Sequence, residues 1–280
     1  MSAIDYPPQR PLSVGEVLDL SFRIYRTTVV RCLLLAALGV IAGQITNFVS
    51  LARGHGLSAA TSFEQLQAEM RDPILWVVMI IAWLATIVFF AAVLLRQQRL
   101  LTGGDAGGEA AAAVRRLPAL IGLMILIGLA CVVCMVPALL VGGLARALVI
   151  VLILGALCYL VVSISCAQTI LLVEGLGPVA SFARSWRLTT SGFWRLTLLY
   201  TIVLFVLLAL YFIFAVIGGA LAGILGRGDL AVATAASGVA IVALGALATP
   251  FYTAVALAVL GDLKVRREGA DLERRISSTA

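Results

Sequence analysis

The residues able to do chemistry are few in this sequence, and their spacing matches no familiar catalytic set. The chain of 280 residues contains one histidine, His55, so no second imidazole is available to share a metal ion or a proton relay. The patterns G-x-S-x-G and H-E-x-x-H, which place a nucleophile or a zinc ion, do not occur. We therefore predict a protein that is not an enzyme and that requires neither a metal nor a cofactor.

The cysteines are the other reactive side chains, and all five lie in or beside apolar runs. Cys131 and Cys134 form a C-x-x-C pair, but no histidine or acidic residue stands next to them. Free cysteine in such surroundings behaves as a small hydrophobic residue, whereas a disulfide framework belongs in extracytoplasmic loops. We interpret all five as packing residues.

A few uncharged polar side chains interrupt the apolar runs. On a helix, Gln44 and Asn47 share a face in the first run, and Ser165 and Gln168 share one in the fourth. Two interpretations remain open. These side chains could form hydrogen bonds between packed helices, worth about 0.6–2 kcal/mol each, or they could line a polar cavity that binds a solute.

Arginines alternate with large aromatic residues in the segment 174–196, between two long apolar runs. A helix over 176–188 would place Val179 and Trp186 on one side and Ser181, Arg184 and Ser185 on the other. A helix of this kind lies in a membrane surface rather than across the bilayer. We expect seven side chains to contact lipid head groups or a partner protein: Arg23, Arg26, Trp186, Arg187, Trp194, Arg195 and Arg266.

The elements that position these residues are predicted to be membrane-spanning helices. Hydrophobic residues make up 62% of the chain and charged residues 12%, and the mean hydropathy is +1.11, whereas soluble domains are about 45–50% apolar and about 25% charged. Since about 20 apolar residues span a bilayer, the sequence predicts an all-α integral membrane protein with six transmembrane helices and cytoplasmic amphipathic interfacial helices at 14–26, 109–116 and 176–188. The six runs are 32–49, 73–95, 117–141, 147–173, 196–225 and 230–260.

Local signals predict several helix ends and contacts. Ser13 and Glu16 form a capping box, and Asp72 precedes a proline at the first helical position, which is typical of a helix start. Pro250 lies inside the sixth run, where we expect a kink. Small residues such as Gly218 in the fifth run predict close packing against the sixth.

The positive charge is distributed unevenly along the chain, which carries 20 Lys and Arg against 14 Asp and Glu, a net charge of +6. If the chain begins on the cytoplasmic side and crosses six times, sixteen of the twenty basic residues fall inside. That bias predicts both termini in the cytoplasm and contact with anionic lipid head groups. Nucleic acid is not an expected partner, because no loop is long enough to form a basic domain. The four basic residues left outside are Arg53, Arg71, Arg146 and Arg227.

Motifs at the borders of the apolar runs resemble those of a bacterial six-span family named for the membrane domain of glycerophosphoryl diester phosphodiesterase. They are R-P-L-S-V-G-E-V-L-D with F-R-I-Y-R in 10–26, E-G-L-G-P with S-W-R-L and F-W-R in 174–195, and D-L-K-V-R-R-E-G-A-D-L-E in 262–273. The resemblance covers nearly the whole chain and implies a multi-pass protein of the bacterial inner membrane. Two positions depart from the family pattern: Lys264 replaces an arginine and Gly261 an aromatic residue. The phosphodiesterase activity is not expected, because its barrel of about 250 residues is missing.

We expect three segments: a disordered segment over 1–12, a six-helix membrane domain with interfacial helices over 13–268, and a cytoplasmic tail over 269–280. The leading hypothesis is a non-enzymatic inner-membrane scaffold or accessory subunit, with membrane proteins or a second copy as partners. The alternative is a transporter or lipid-handling protein with a polar intramembrane cavity. An intramembrane enzyme fits least, because no charged residue falls within the six runs.

Overall fold

The computed structural model describes residues 6–52, 72–104, 107–226 and 230–279, and these residues are almost entirely helical. Six helical segments are long and apolar enough to cross a membrane, so the predicted all-α fold with six spans is confirmed in length and composition. A 3₁₀ turn, Thr190–Gly192, connects the helix that ends at Thr189 to the helix that begins at Phe193. The helices are α1 (Val14–Ala52), α2 (Pro73–Leu101), α3 (Glu109–Leu140), α4 (Gly143–Ile164), α5 (Ala167–Glu174), α6 (Pro178–Thr189), α7 (Phe193–Gly226) and α8 (Leu230–Thr279).

The last helix, α8, is the centre of the bundle. Helices α1, α2 and α7 pack against α8, α3 packs on α2, and α4 packs on α3, α6 and α7. The backbones of α7 and α8 approach closely, because a Cβ added at Gly218 would lie 2.9 Å from the Cβ of Ala240. The predicted packing of the fifth span on the sixth is therefore confirmed.

The buried core lies toward one end of the bundle, where α1, α3 and α7 begin and α2 and α5 end. Every residue of α8 from 253 to 263 is buried, whereas the large apolar side chains Leu34, Phe205 and Ile213 are more than half exposed elsewhere. Continuous exposed apolar faces of this kind suit a lipid environment rather than water. We call the buried end the arginine-rich end, after Arg31, Arg96, Arg116, Arg195 and Arg266, which lie there.

Two of the predicted interfacial helices are not separate elements. Residues 14–26 are the first part of α1, and residues 109–116 are the first part of α3. No proline or glycine lies between residues 26 and 32, so nothing interrupts the helix where the amphipathic pattern gives way to the apolar one. Helix α8 likewise continues past the predicted end of the sixth run at 260, and its 50 residues give a length of about 75 Å.

The predicted helix starts at Ser13 and Asp72 are confirmed. The Ser13 N–H donates to Glu16 Oε2 at 2.7 Å, and the Glu16 N–H donates to Ser13 Oγ at 3.3 Å. The side chain of Asp72 accepts the N–H of Ile74 at 2.8 Å. Pro250 lies inside α8, which continues as helix on both sides of it.

Candidate functional site

Three carboxylates at the arginine-rich end are each bound by two cations. The first, Asp262 on α8, is 1% exposed. It lies 2.7 Å from Arg195, at the start of α7, and 3.2 Å from Arg266, one turn further along α8. Asp262 Oδ1 also accepts the backbone N–H of Leu12 at 2.7 Å. Both arginines donate to the Leu12 carbonyl. The backbone N–H and the backbone carbonyl of Leu12 are therefore both hydrogen-bonded.

The second carboxylate, Glu109, closes the connection between α2 and α3. Its side chain is 1% exposed and lies 3.0 Å from Arg96 and 3.9 Å from Arg99. It also accepts the N–H of Gly107 at 2.7 Å. Because Arg96 donates to the Arg31 carbonyl of α1 at 3.0 Å, this cluster joins the ends of three helices.

The third carboxylate, Glu174, ends α5 and joins it to two other helices. Its oxygens lie 2.7 Å from Arg184 of α6 and 2.8 Å from Lys264 of α8. Gly175 follows in the left-handed conformation, with φ +70°, which ends the helix and turns the chain toward α6. Each of the three clusters holds two cations and one carboxylate, and therefore keeps a net charge of +1.

The family-like motifs converge on these clusters. Leu12 belongs to the first motif, Arg195 to the second, and Asp262 and Arg266 to the third, and all four meet at one site. Sequence analysis identified the motifs but not their contact, because 250 residues separate Leu12 from Asp262. The arrangement places the motifs at the joints between helices.

Residues 6–12 form a strap across this end, instead of the disordered segment predicted for 1–12. The Tyr6 hydroxyl donates to the Leu257 carbonyl of α8 at 3.2 Å, and Pro8 is buried. A Cβ on Gly261 would lie 3.0 Å from Pro8, so glycine, one of the two departures from the resembled family, gives the strap room on α8. Burial raises the pKa of the Tyr6 phenol, which therefore stays a protonated donor at physiological pH. Residues 1–5 lie outside the described residues.

A break in the fourth apolar run is closed by hydroxyl groups of α6. Helix α4 ends before Ser165 and α5 begins after Cys166, which leaves carbonyls near the break without helical N–H partners. The Ser163 carbonyl accepts hydrogen bonds from Ser185 at 2.9 Å and from Thr189 at 3.0 Å. Side chains of α6 thus cap the end of α4 from outside the helix.

Helix α6 therefore turns its polar side toward the protein, whereas the sequence pattern predicted that side to face outward. Ser181 and Ser185 are fully buried, and Arg184 is paired with a carboxylate. The apolar Val179 is 70% exposed instead. On the buried side of α6, the hydroxyls of Ser185 and Thr189 donate to the Ser163 carbonyl, a hydrogen bond that an apolar side chain could not supply. That α6 lies in a membrane surface stays a prediction.

Gln97 joins three helices in the interior. Its fully buried side chain donates to Thr28 Oγ1 of α1 at 3.1 Å and to the Pro250 carbonyl of α8 at 2.8 Å. Polar bonds between packed helices were one of the two interpretations that the sequence left open. They occur here, although at residues that sequence analysis did not single out.

Four of the seven predicted contact residues face outward at the arginine-rich end. Arg26 and Arg187 are exposed, and Trp194 is 82% exposed. Arg23 is exposed and donates through Nε to Asp19 on the same helix at 3.0 Å, the pair that the four-residue spacing favours. These side chains are available to a lipid or a protein partner.

The other three predicted contact residues are engaged within the chain. Arg195 and Arg266 bind Asp262 and Leu12. Trp186 is half-buried, and its ring centroid lies 5.4 Å from that of Tyr159 on α4. The structure shows these side chains joining helices, and external contacts by them stay a prediction.

The three predicted cavity residues whose side chains are described, Gln44, Ser165 and Gln168, are not brought together. Gln44 lines a crevice of about 270 Å³ between α1, α2 and α8. Ser165 donates to the Val162 carbonyl at 2.8 Å, and Gln168 is half-buried in α5; neither is among the residues that line this crevice. The side chain of Asn47 lies outside the described residues. The crevice is lined by Leu35, Ala36, Gly39, Val40, Gly43, Gln44, Thr86, Phe90 and Thr249.

The clusters at the arginine-rich end stabilise contacts between helices and carry surplus positive charge. Within the described ranges, no group of three or more His, Cys, Asp or Glu side chains could hold a metal ion. All five cysteines are free thiols, with Cys32 and Cys166 buried and Cys158 exposed. Comparisons with protein-family models, with curated proteins and with solved structures find no match.

Sequence analysis missed the carboxylates that organise this end. One signal was present: Asp262 directly follows an apolar run and has Arg266 four residues later, the spacing of a helical ion pair. Glu109 and Glu174 also lie at borders of apolar runs. An acidic residue at such a border, with arginines on neighbouring segments, would have indicated a buried cluster.

Proposed function

We propose that this chain is a non-enzymatic polytopic protein of the bacterial cytoplasmic membrane that acts as a scaffold or accessory subunit of a membrane assembly. The observation that supports the proposal is that polar side chains of this protein bind other helices of the same chain. The three carboxylates join helix ends, while Gln97, Ser185 and Thr189 bond to helix carbonyls. Ion pairs and hydrogen bonds that fix helices relative to one another suit a rigid scaffold better than a catalyst or an alternating-access carrier.

The same observations support membership in the family named for the membrane domain of glycerophosphoryl diester phosphodiesterase. The three resembling motifs meet at the Asp262 cluster, so the family-like residues have a shared structural task. In this proposal the arginine-rich end faces the cytoplasm, where sixteen of the twenty basic residues would lie. Both termini are then cytoplasmic.

The orientation is tested by labelling single cysteines placed at residue 228 and at residue 278 in intact cells and in inverted vesicles. We expect a membrane-impermeant reagent to reach residue 228 from outside the cell and residue 278 only in inverted vesicles. Labelling of both positions from the same side would contradict the six-span orientation.

The scaffold role is tested at the outward-facing residues of the arginine-rich end. We expect a membrane protein to co-purify with the chain in a fixed ratio, and that ratio to fall at least tenfold in the triple variant Arg26→Gln, Arg187→Gln, Trp194→Ala. Arg146→Gln is the matched control, because Arg146 is equally exposed but follows the far end of α3. A chain that purifies alone, or a partner retained by the triple variant, would count against the proposal.

The alternative of a transporter or lipid-handling protein has one observation in its favour. Broken membrane helices often bind substrates in transporters, and the fourth span is broken at residues 165–166. Gln168 lies in the first turn after the break. Replacing Gln168 with leucine separates the two functions, since a scaffold retains its co-purifying partner and a carrier loses uptake or release of its solute.

A further inference from the structure

The crevice between α1, α2 and α8 is a recess within the candidate spans that the proposed function does not use. Its volume of about 270 Å³ is nearly twice that of an engineered cavity of about 150 Å³ that binds benzene, which gives room for about ten carbon atoms. None of the nine lining residues is titratable, and four of them have aliphatic or aromatic hydrocarbon side chains. The space therefore suits an uncharged chain.

A cation lies directly above this crevice on the same side of α1. Arg31 lies one helical turn before Leu35, the first crevice residue of α1, and these two residues share a face of the helix. Arg31 is exposed, and within the described residues its side chain forms no ion pair. Its backbone carbonyl is held by Arg96, so the position of this turn of α1 is fixed.

The distances along α1 match the dimensions of one bilayer leaflet. At 1.5 Å per residue, the crevice begins about 6 Å and ends about 20 Å from Arg31 along the helix axis. Half of a hydrocarbon core is about 15 Å thick. A phosphate bound at Arg31 would therefore place an attached hydrocarbon chain alongside Leu35, Gly39 and Gly43.

We propose that this crevice binds one acyl chain of an anionic phospholipid from the leaflet at the arginine-rich end, with the lipid phosphate held by Arg31. Charge selects the head group, since a guanidinium without a protein partner favours an anionic lipid over a zwitterionic one. Ala36, Gly39 and Gly43 line the crevice with little side-chain volume of their own, and the glycines let α2 approach α1, because a Cβ on Gly39 would lie 2.9 Å from Phe89 Cβ. Thr86 already donates to the Ala82 carbonyl at 2.9 Å, so it needs no polar group from the ligand.

The inference rests on the proposed membrane placement but not on the scaffold role. It is tested on the full chain in nanodiscs of phosphatidylglycerol and phosphatidylcholine in equal amounts, with the lipids that remain bound after transfer to detergent counted by native mass spectrometry. We expect one retained phosphatidylglycerol per chain. Arg31→Gln should lower the preference for phosphatidylglycerol about fivefold, the effect of one basic residue at a membrane surface, while lipid is still retained.

Filling the crevice should remove the lipid whatever its head group. Gly43 lines the crevice, so the side chain of Gly43→Leu enters it, with a Cβ 3.3 Å from Thr86 Oγ1, and we expect at least a tenfold loss of both lipids. The matched controls are on α3: Arg115→Gln removes an equally exposed arginine, and Gly128→Leu adds the same side chain where nothing lies within 4 Å. Both should behave as the unaltered chain.

A second measurement does not depend on how well Gly43→Leu folds. Leu35 is replaced by a photoreactive leucine analogue, and the cross-linked product is identified by mass. A phospholipid adduct supports the proposal, whereas a cross-linked second copy of the chain overturns it. An equal preference for phosphatidylglycerol in the Arg31→Gln variant, the Arg115→Gln variant and the unaltered chain also overturns it. A failed lipid site leaves protein co-purification unchanged, so the two proposals fail separately.

Discussion

Replacing Asp262 with asparagine tests whether buried ion clusters hold the arginine-rich end together. Asparagine keeps the shape of the side chain but removes the charge that Arg195 and Arg266 face at 2.7 and 3.2 Å. Breaking a buried ion pair costs about 3–5 kcal/mol. The two arginine side chains are 23% and 37% exposed, so water solvates them in part, and we expect the free energy of unfolding to fall by about 2–3 kcal/mol.

Two measurements test the predicted decrease in the free energy of unfolding. The thermal midpoint of the purified protein in detergent should fall by roughly 4–12 °C. Hydrogen exchange at the Leu12 amide should accelerate at least tenfold, because that N–H loses a charged acceptor. The control is Asp19→Asn, which removes a 59% exposed partner of Arg23 and should cost at most about 0.5 kcal/mol. An unchanged midpoint with Leu12 still protected would refute the claim that the cluster secures the strap.

Three further variants test the packing of the bundle. Gly245→Ala should lower the thermal midpoint by several degrees, because its Cβ would lie 2.3 Å from Val40 Cγ2, whereas Gly219→Ala, with nothing within 4 Å, should not. Gln97→Leu removes two donated hydrogen bonds and should cost about 1–2 kcal/mol of unfolding free energy in chemical denaturation. Thr189→Val should cost about 1 kcal/mol in the same assay, because one hydroxyl bond to the end of α4 is lost.

Each of these variants has an outcome that would contradict its reasoning. Equal midpoints for Gly245→Ala and Gly219→Ala would show that α1 and α8 separate without cost. A Gln97→Leu protein as stable as the unaltered chain would show that the interior amide contributes nothing. If Thr189→Val has no effect even when Ser185→Ala is present, the Ser163 carbonyl does not need the hydroxyls of α6.

The span count could be predicted from the sequence because the cost of exposing polar backbone in lipid makes long apolar runs helical. The starts at Ser13 and Asp72 could also be predicted, since a capping side chain acts on residues next to it in the chain. The positions at which a helix breaks could not be predicted in the same way. No residue type marks the break at 165–166, which depends on hydroxyl groups supplied by α6.

The candidate site was harder to predict because its contacts are distant in sequence. The arginines were predicted to be lipid or partner contacts, whereas Arg195 and Arg266 bind Asp262 within the chain. A prediction from an amphipathic pattern assumes that the polar side chains face water. At Ser185 the competing rule prevails, since a buried carbonyl without a helical partner needs a donor more than the hydroxyl needs solvent.

The central position of α8 has a consequence for biosynthesis. Leu12 is translated 250 residues before Asp262, and ribosomes add about 5–20 residues per second, so the strap waits about 12–50 s for its acceptor. Helices α1, α2 and α7 are likewise all translated before α8, the helix on which they pack. The bundle can therefore complete its packing only at the end of translation.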